Sequence, residues 1–192
     1  MQAQPFIVGI GGTTRSGSTS ERAIAIALER ARALGCEVQA FGSGAMPSEP
    51  YDPASPDRSP QAQSLVAALR RADGVIIATP AYHGGISGLV KNAIDFTEDM
   101  RSDPRVYLEG RAVGCIVCAE GAQAMGTTMT ALRAIVHALR GWPTPYGAAI
   151  ASNTRPFGTA DKPADPVAIK ACETVAEEVV RFATMVRASA TA

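Results

Sequence analysis

Five short apolar runs alternate with helical patterns along this chain, and that alternation restricts the fold more than any other feature. The runs lie at about 5–11, 36–41, 74–79, 111–118 and 144–151. Gly74-Val-Ile-Ile-Ala-Thr79 is apolar almost throughout, as suits a parallel strand covered on both faces. Between the runs, apolar residues recur at helical spacing. The first helix, about 20–34, places Ile24, Ala27, Leu28, Ala31 and Leu34 on one face. Ser59 caps and Pro60 opens a second helix carrying Leu65, Ala68, Leu69 and Ala72. A third covers about 87–99, and a fourth, about 125–140, carries Met125, Met129, Leu132, Val136 and Leu139. Asp165 caps and Pro166 opens the last, whose stripe is Ile169, Cys172, Val175, Val179, Phe182 and Val186.

This pattern predicts an α/β fold: a three-layer sandwich around a five-stranded parallel sheet. Right-handed crossovers make 2-1-3-4-5 the natural doubly wound strand order. Residues 1–192 are expected to form a single domain with its own core. In that order the direction of winding switches between strands one and three, and ligands bind at the strand C-terminal ends there. The loops at that point are 11–20 and 79–88.

Loop 11–20 follows Phe6-Ile7-Val8-Gly9-Ile10 and reads Gly-Gly-Thr-Thr-Arg-Ser-Gly-Ser-Thr-Ser. It combines backbone N–H groups, hydroxyls, one arginine and a helix N-terminus, a donor set suited to phosphate. A nucleoside triphosphate loop requires Gly-Lys-Ser/Thr, and no lysine is present. A dinucleotide fingerprint requires a third glycine where Thr14 stands, and an acid after strand two, where Gly42-Ser43 stands. A mononucleotide such as FMN fits what remains; the alternative is a plain polar turn with a hydroxyl helix cap.

Lys+Arg and Asp+Glu both total 18, so the formal net charge is zero. That argues against nucleic acid and against an anionic membrane surface as partners. Neither a leader nor a long apolar segment is visible, and the expected location is cytoplasmic. Cys115 and Cys118 form a C-x-x-C, but within a strand their side chains point to opposite faces, so they read as small buried thiols rather than a redox or metal pair. No metal site is expected.

The loop after strand three reads Thr79-Pro80-Ala81-Tyr82-His83-Gly84-Gly85-Ile86-Ser87-Gly88, followed by Leu89-Val90-Lys91-Asn92-Ala93-Ile94-Asp95. Its small residues allow a flat ring to approach the backbone. The pattern Thr-Pro-x-Tyr-x-x-x-x-Ser-Gly-x-x-Lys-Asn-x-x-Asp resembles the signature of the NADPH-dependent FMN reductase family, whose fold is flavodoxin-like. The first loop resembles that family's Gly-Ser-x-Arg-x-x-Ser phosphate motif, and the likeness covers roughly residues 5–150.

The resemblance implies FMN as cofactor and NADPH or NADH as cosubstrate. Thr13, Arg15, Ser18, Thr19 and Ser20 would hold the phosphate. Pro80, Ala81, Tyr82, His83, Gly84 and Gly85 would line the ribityl chain and the ring. Ser87, Lys91 and Asp95 read as fixing the loop and its helix, with Lys91 and Asp95 paired one turn apart. Glu120 and Gly121, after strand four, would border the pyrimidine end. Glu120 departs from the family's glycine-rich pattern there, and a carboxylate at that position disfavours an anionic reduced flavin.

The implied reaction is hydride transfer from nicotinamide to flavin N5, then delivery of electrons to a second small-molecule acceptor or release of reduced FMN. No dedicated catalytic acid or base is required. Alternatives are an enzyme that retains FMN and reduces quinones, azo dyes or metal oxyanions, and a non-enzymatic flavodoxin-like electron carrier. The resemblance further implies a homodimer or homotetramer, with contacts through helices three and four, and a flavin-dependent monooxygenase among its partners. Segment 99–110 is expected to cover the pocket, its own or a partner's, and Trp142 to be buried in the core.

Overall fold

The structure, a computed structural model, describes residues 4–190. The elements are β1 (Phe6–Gly11), α1 (Thr19–Ala33), β2 (Glu37–Phe41), α2 (Pro60–Arg71), β3 (Gly74–Tyr82), β4 (Gly85–Ile86), α3 (Gly88–Asp95), β5 (Ala112–Ala119), α4 (Ala122–Ala138), β6 (Trp142–Pro143), β7 (Ala148–Ala151) and α5 (Pro166–Ala190). A short 3-10 helix, Phe96–Met100, continues α3.

The sheet order is β2-β1-β3-β5-β6, with β7 also paired to β5. The main ladders are all parallel. Counted as the five apolar runs, this is the expected 2-1-3-4-5. The strand count is seven rather than five for two local reasons. Strand β3 runs on to Tyr82 and folds back on itself as the antiparallel β4. The fifth run, expected at 144–151, pairs only over Ala148–Ala151 as β7, and β6 is added just before it; between the two, Pro145 has no N–H to give the ladder and Tyr146 N–H donates to Glu178 Oε2 at 2.9 Å instead.

Each face of the sheet carries a helical layer, and alternation along the strands feeds both cores. In β3, Val75 and Ile77 join one core with α2, α3 and α4, while Ile76 and Ala78 join the other with α1 and α5. Cys115 and Cys118 are likewise divided between the two cores, and all four cysteines are free and buried. The caps form as the sequence dictates. Ser59 Oγ accepts from Ala62 N–H at 3.2 Å and Asp165 Oδ1 from Val167 N–H at 2.9 Å. Helix α4 begins three residues earlier than its apolar stripe because Gly121 is its N-cap.

Gly9 and Gly11 let α1 settle onto β1. A Cβ on Gly9 would lie 2.7 Å from Leu28 Cδ1, and one on Gly11 2.6 Å from Ile24 Cγ1. These glycines therefore serve helix-on-sheet packing, which is why two of the three dinucleotide offsets are filled without the fingerprint.

Two expectations fail here. Trp142 is 60% exposed, not buried: its edge position in β6 leaves the ring against Phe182 on one side and open on the other. Segment 99–110 lies at the opposite edge of the sheet from the strand C-termini and does not cover the pocket of its own chain. The fully buried Arg111 holds it there, donating to Tyr107 O at 3.0 Å, Arg70 O at 3.1 Å and Ala72 O at 3.1 Å. Burial pulls that guanidinium down to about 10.

Candidate active site

A cavity of about 420 Å³ opens at the C-terminal ends of β1, β3, β5 and β7. Its size falls in the range of small-molecule sites, and its place is the switch point between β1 and β3. Three stretches of chain build most of it: Thr13 to Ser20, Pro80 to Tyr82, and Cys118 to Gly121.

The first stretch is a turn with a helix start. Thr13 Oγ1 accepts from Arg15 N–H at 3.0 Å, which curls the turn. Ser18 Oγ caps α1 by accepting from Glu21 N–H at 3.3 Å. Among the described residues, the N–H groups of Ser18, Thr19 and Ser20 have no protein acceptor, and the Arg15 guanidinium has no carboxylate partner. Three amide donors at a helix N-terminus, two or more hydroxyls and an unpaired arginine fit a phosphomonoester.

The second stretch is not a simple strand-to-helix loop. Ala81 pairs with Ile86 and Tyr82 with Gly85, so His83 and Gly84 form the two-residue turn of a hairpin. Both have positive φ, 53° and 79°, as a type I′ turn requires. Thr79 Oγ1 accepts from Ser87 N–H at 3.0 Å at the hairpin base, and Ser87 Oγ caps α3. Tyr82 is 56% exposed. Lys91 Nζ and Asp95 Oδ1 are 2.5 Å apart on the exposed face of α3, the one-turn pairing their spacing predicts.

The third stretch ends β5 and opens α4. Gly121 leaves open space where a Cβ would stand, so nothing of the protein crowds the cavity at that point. Glu120 is exposed on the cavity rim and pairs with no cation among the described residues.

The cavity thus gathers Thr13, Arg15, Ser18, Thr19, Ser20, Pro80, Ala81, Tyr82, Glu120 and Gly121. It does not gather His83, Gly84 and Gly85. The hairpin carries those to its tip, where Gly84 approaches α4 at Thr127. It adds Cys118, Ala119, Ala124 and Ser152. Ser152 follows β7, the strand farthest in sequence from the switch point. Its signal in the sequence is its place just beyond the fifth apolar run. Arg22 fastens that same β7–α5 connection, donating to Gly158 O at 2.9 Å and to Phe157 O.

The profile of the NADPH-dependent FMN reductase family matches residues 5–155. This chain belongs to that family. It is an NAD(P)H-dependent flavin oxidoreductase, with FMN as cofactor and a reduced nicotinamide nucleotide as cosubstrate. Membership makes it an enzyme rather than an electron carrier.

Solved structures share the flavodoxin-like fold of this reductase at low identity. The NAD(P)H:(acceptor) oxidoreductase FerB from Paracoccus denitrificans is 17% identical with a TM-score of 0.69, covering 95% of this chain and 98% of its own. An oxidoreductase from Corynebacterium diphtheriae is 18% identical with a TM-score of 0.69, over 95% and 98%. The flavodoxin, WrbA-like protein from Agrobacterium tumefaciens is 17% identical with a TM-score of 0.63, over 95% and 99%. No curated protein matches by sequence. No helix among the described residues is long and apolar enough to cross a membrane.

Proposed function

We propose that this reductase binds FMN with its phosphate at Thr13, Arg15, Ser18, Thr19 and Ser20 and its ring against Pro80, Ala81 and Tyr82, with Glu120 and Gly121 at the far rim. The observation that carries this reading is the set of three acceptor-free amides beside an unpaired arginine, facing a cavity of ring-sized dimensions. His83 and Gly84 serve as the turn, and Gly85 as the first residue of the returning strand, that present Ala81 and Tyr82.

When bound, FMN supplies the redox chemistry, accepting hydride from the nicotinamide and passing electrons to an acceptor. The protein's part is to bind and orient. Helix α1 and Arg15 anchor the charged end, and the hairpin sets one wall of the slot. Close positioning of the two rings supplies most of the rate, and no residue is needed to move a proton at the hydride step. The exposed Glu120 carboxylate opposes negative charge building up on a ring beside it. A homodimer or homotetramer through α3 and α4 belongs to the same reading; the groove between those helices mixes apolar Ile94, Ile135 and Leu139 with charged Lys91, Asp95 and Glu98.

The test is an absorbance spectrum of the purified protein with FMN, then with NADPH or NADH. Bleaching of the flavin band by one nucleotide is the expected result and reads the cosubstrate preference directly. Repeating it after dialysis tells retained FMN, as a quinone, azo-dye or metal-oxyanion reductase requires, from FMN released to a flavin-dependent monooxygenase. Absence of FMN binding overturns the reading.

A further inference from the structure

Ser18-Thr19-Ser20-Glu21 has the form of a capping box, but its second half is diverted. In an ordinary box the N-cap hydroxyl bonds the N3 amide, and the N3 carboxylate returns to the N-cap amide. The first bond is present, from Glu21 N–H to Ser18 Oγ. The second is not. Glu21 Oε2 accepts from Gly17 N–H at 2.5 Å, and Oε1 accepts from Ser43 N–H at 2.8 Å. Ser43 Oγ then donates back to Thr14 O at 3.1 Å. The Glu21 carboxylate therefore ties the 12–18 turn to the chain leaving β2, and it does so without using the Ser18 amide.

Two glycines make room for this arrangement. A Cβ on Gly42 would lie 2.6 Å from Glu21 Oε1, and one on Gly12 would lie 3.2 Å from Glu21 Cβ. Glycine at both places lets the acidic side chain lie flat beneath the turn.

From this geometry we infer that Glu21 is a positioning residue for the FMN phosphate, an inference that rests on the phosphate reading proposed above. It consumes the two amides that would otherwise compete for loop shape and leaves those of Ser18, Thr19 and Ser20 to the ligand. Charge alone predicts the reverse of what this role predicts. A carboxylate close to a phosphate repels it, so deleting the carboxylate would tighten binding if repulsion were all that mattered. If Glu21 preorganises the turn, deletion weakens binding instead.

The experiment compares FMN with riboflavin, which lacks the phosphate, by quenching of flavin fluorescence. Glu21→Ala is expected to weaken FMN binding by about tenfold or more while riboflavin stays within about twofold of wild type. Glu21→Gln, which keeps one acceptor oxygen, falls between. Gly42→Ala leaves Glu21 in place but pushes its carboxylate away, and it is expected to reproduce the loss. Unchanged or tighter FMN binding in Glu21→Ala overturns the inference. So does an equal loss for both flavins, which marks general damage to the fold. A wild-type protein that binds FMN no better than riboflavin instead refutes the phosphate reading on which the inference stands.

Discussion

The backbone N–H of Ser87 donates to Thr79 Oγ1 at 3.0 Å, and this one bond closes the base of the hairpin that carries Ala81 and Tyr82 to the cavity. Both residues are buried, so water cannot substitute for either partner. Thr79→Val keeps the shape and removes the acceptor. It is expected to lower stability by about 1–3 kcal/mol, the cost of a buried unpaired amide. The midpoint of urea unfolding measures this, and an unchanged midpoint would show that the hairpin is held by other contacts.

Arg15 has no carboxylate partner among the described residues, so its guanidinium is available to a phosphate. Arg15→Ala is expected to weaken FMN binding by about 1–3 kcal/mol and to leave riboflavin unaffected. Added salt is expected to narrow the difference, since screening weakens an exposed ion pair. Equal FMN affinity in both proteins would reject the assignment.

Arg58 grips Asp99 with two hydrogen bonds, Nε to Oδ2 at 2.7 Å and Nη2 to Oδ1 at 2.8 Å, joining the loop before α2 to the 3-10 helix after α3. The guanidinium also lies over the Tyr51 ring, 4.9 Å from its centre. Hydrogen bonding to Arg58 holds the Asp99 carboxyl below its ordinary range. The stability it contributes is therefore complete above the unfolded carboxyl value of about 4, and it disappears as pH falls through the lower folded value. Asp99→Asn is expected to cost about 1–3 kcal/mol at pH 7, and the gap to wild type is expected to close in increasingly acidic urea titrations.

Burial pushes the thiols of Cys115, Cys118 and Cys172 up to about 12, and Cys36 is shifted in the same direction. Such thiols carry almost no thiolate at neutral pH. The native protein is expected to be nearly inert to a disulfide reagent at pH 8, whereas all four thiols react after denaturation. Rapid reaction of the native protein would mean that the cores open far more readily than their packing implies.

Much of the fold was legible because it is written in local relations. Strand runs, helical stripes, the Ser59 and Asp165 caps and the Lys91–Asp95 pair all depend on residues within a turn of one another. The phosphate turn was legible for the same reason: hydroxyls, glycine and arginine stand together just before a helix. The hairpin was not. Whether His83 and Gly84 wall a cavity or turn away from it depends on β3 continuing to Tyr82 and folding back, which a run ending at Thr79 does not announce.

The sequence by itself determined the layers, the strand order and the two loops that meet at the switch point, because periodicity and caps act over a few residues. Only the tertiary structure decided that Glu21 reaches Ser43, that Arg58 meets Asp99, that Ser152 joins the cavity, and that Arg111 holds segment 99–110 at the far edge of the sheet. Each of those contacts links chain segments remote in sequence or turns on burial, and neither leaves a periodic signal.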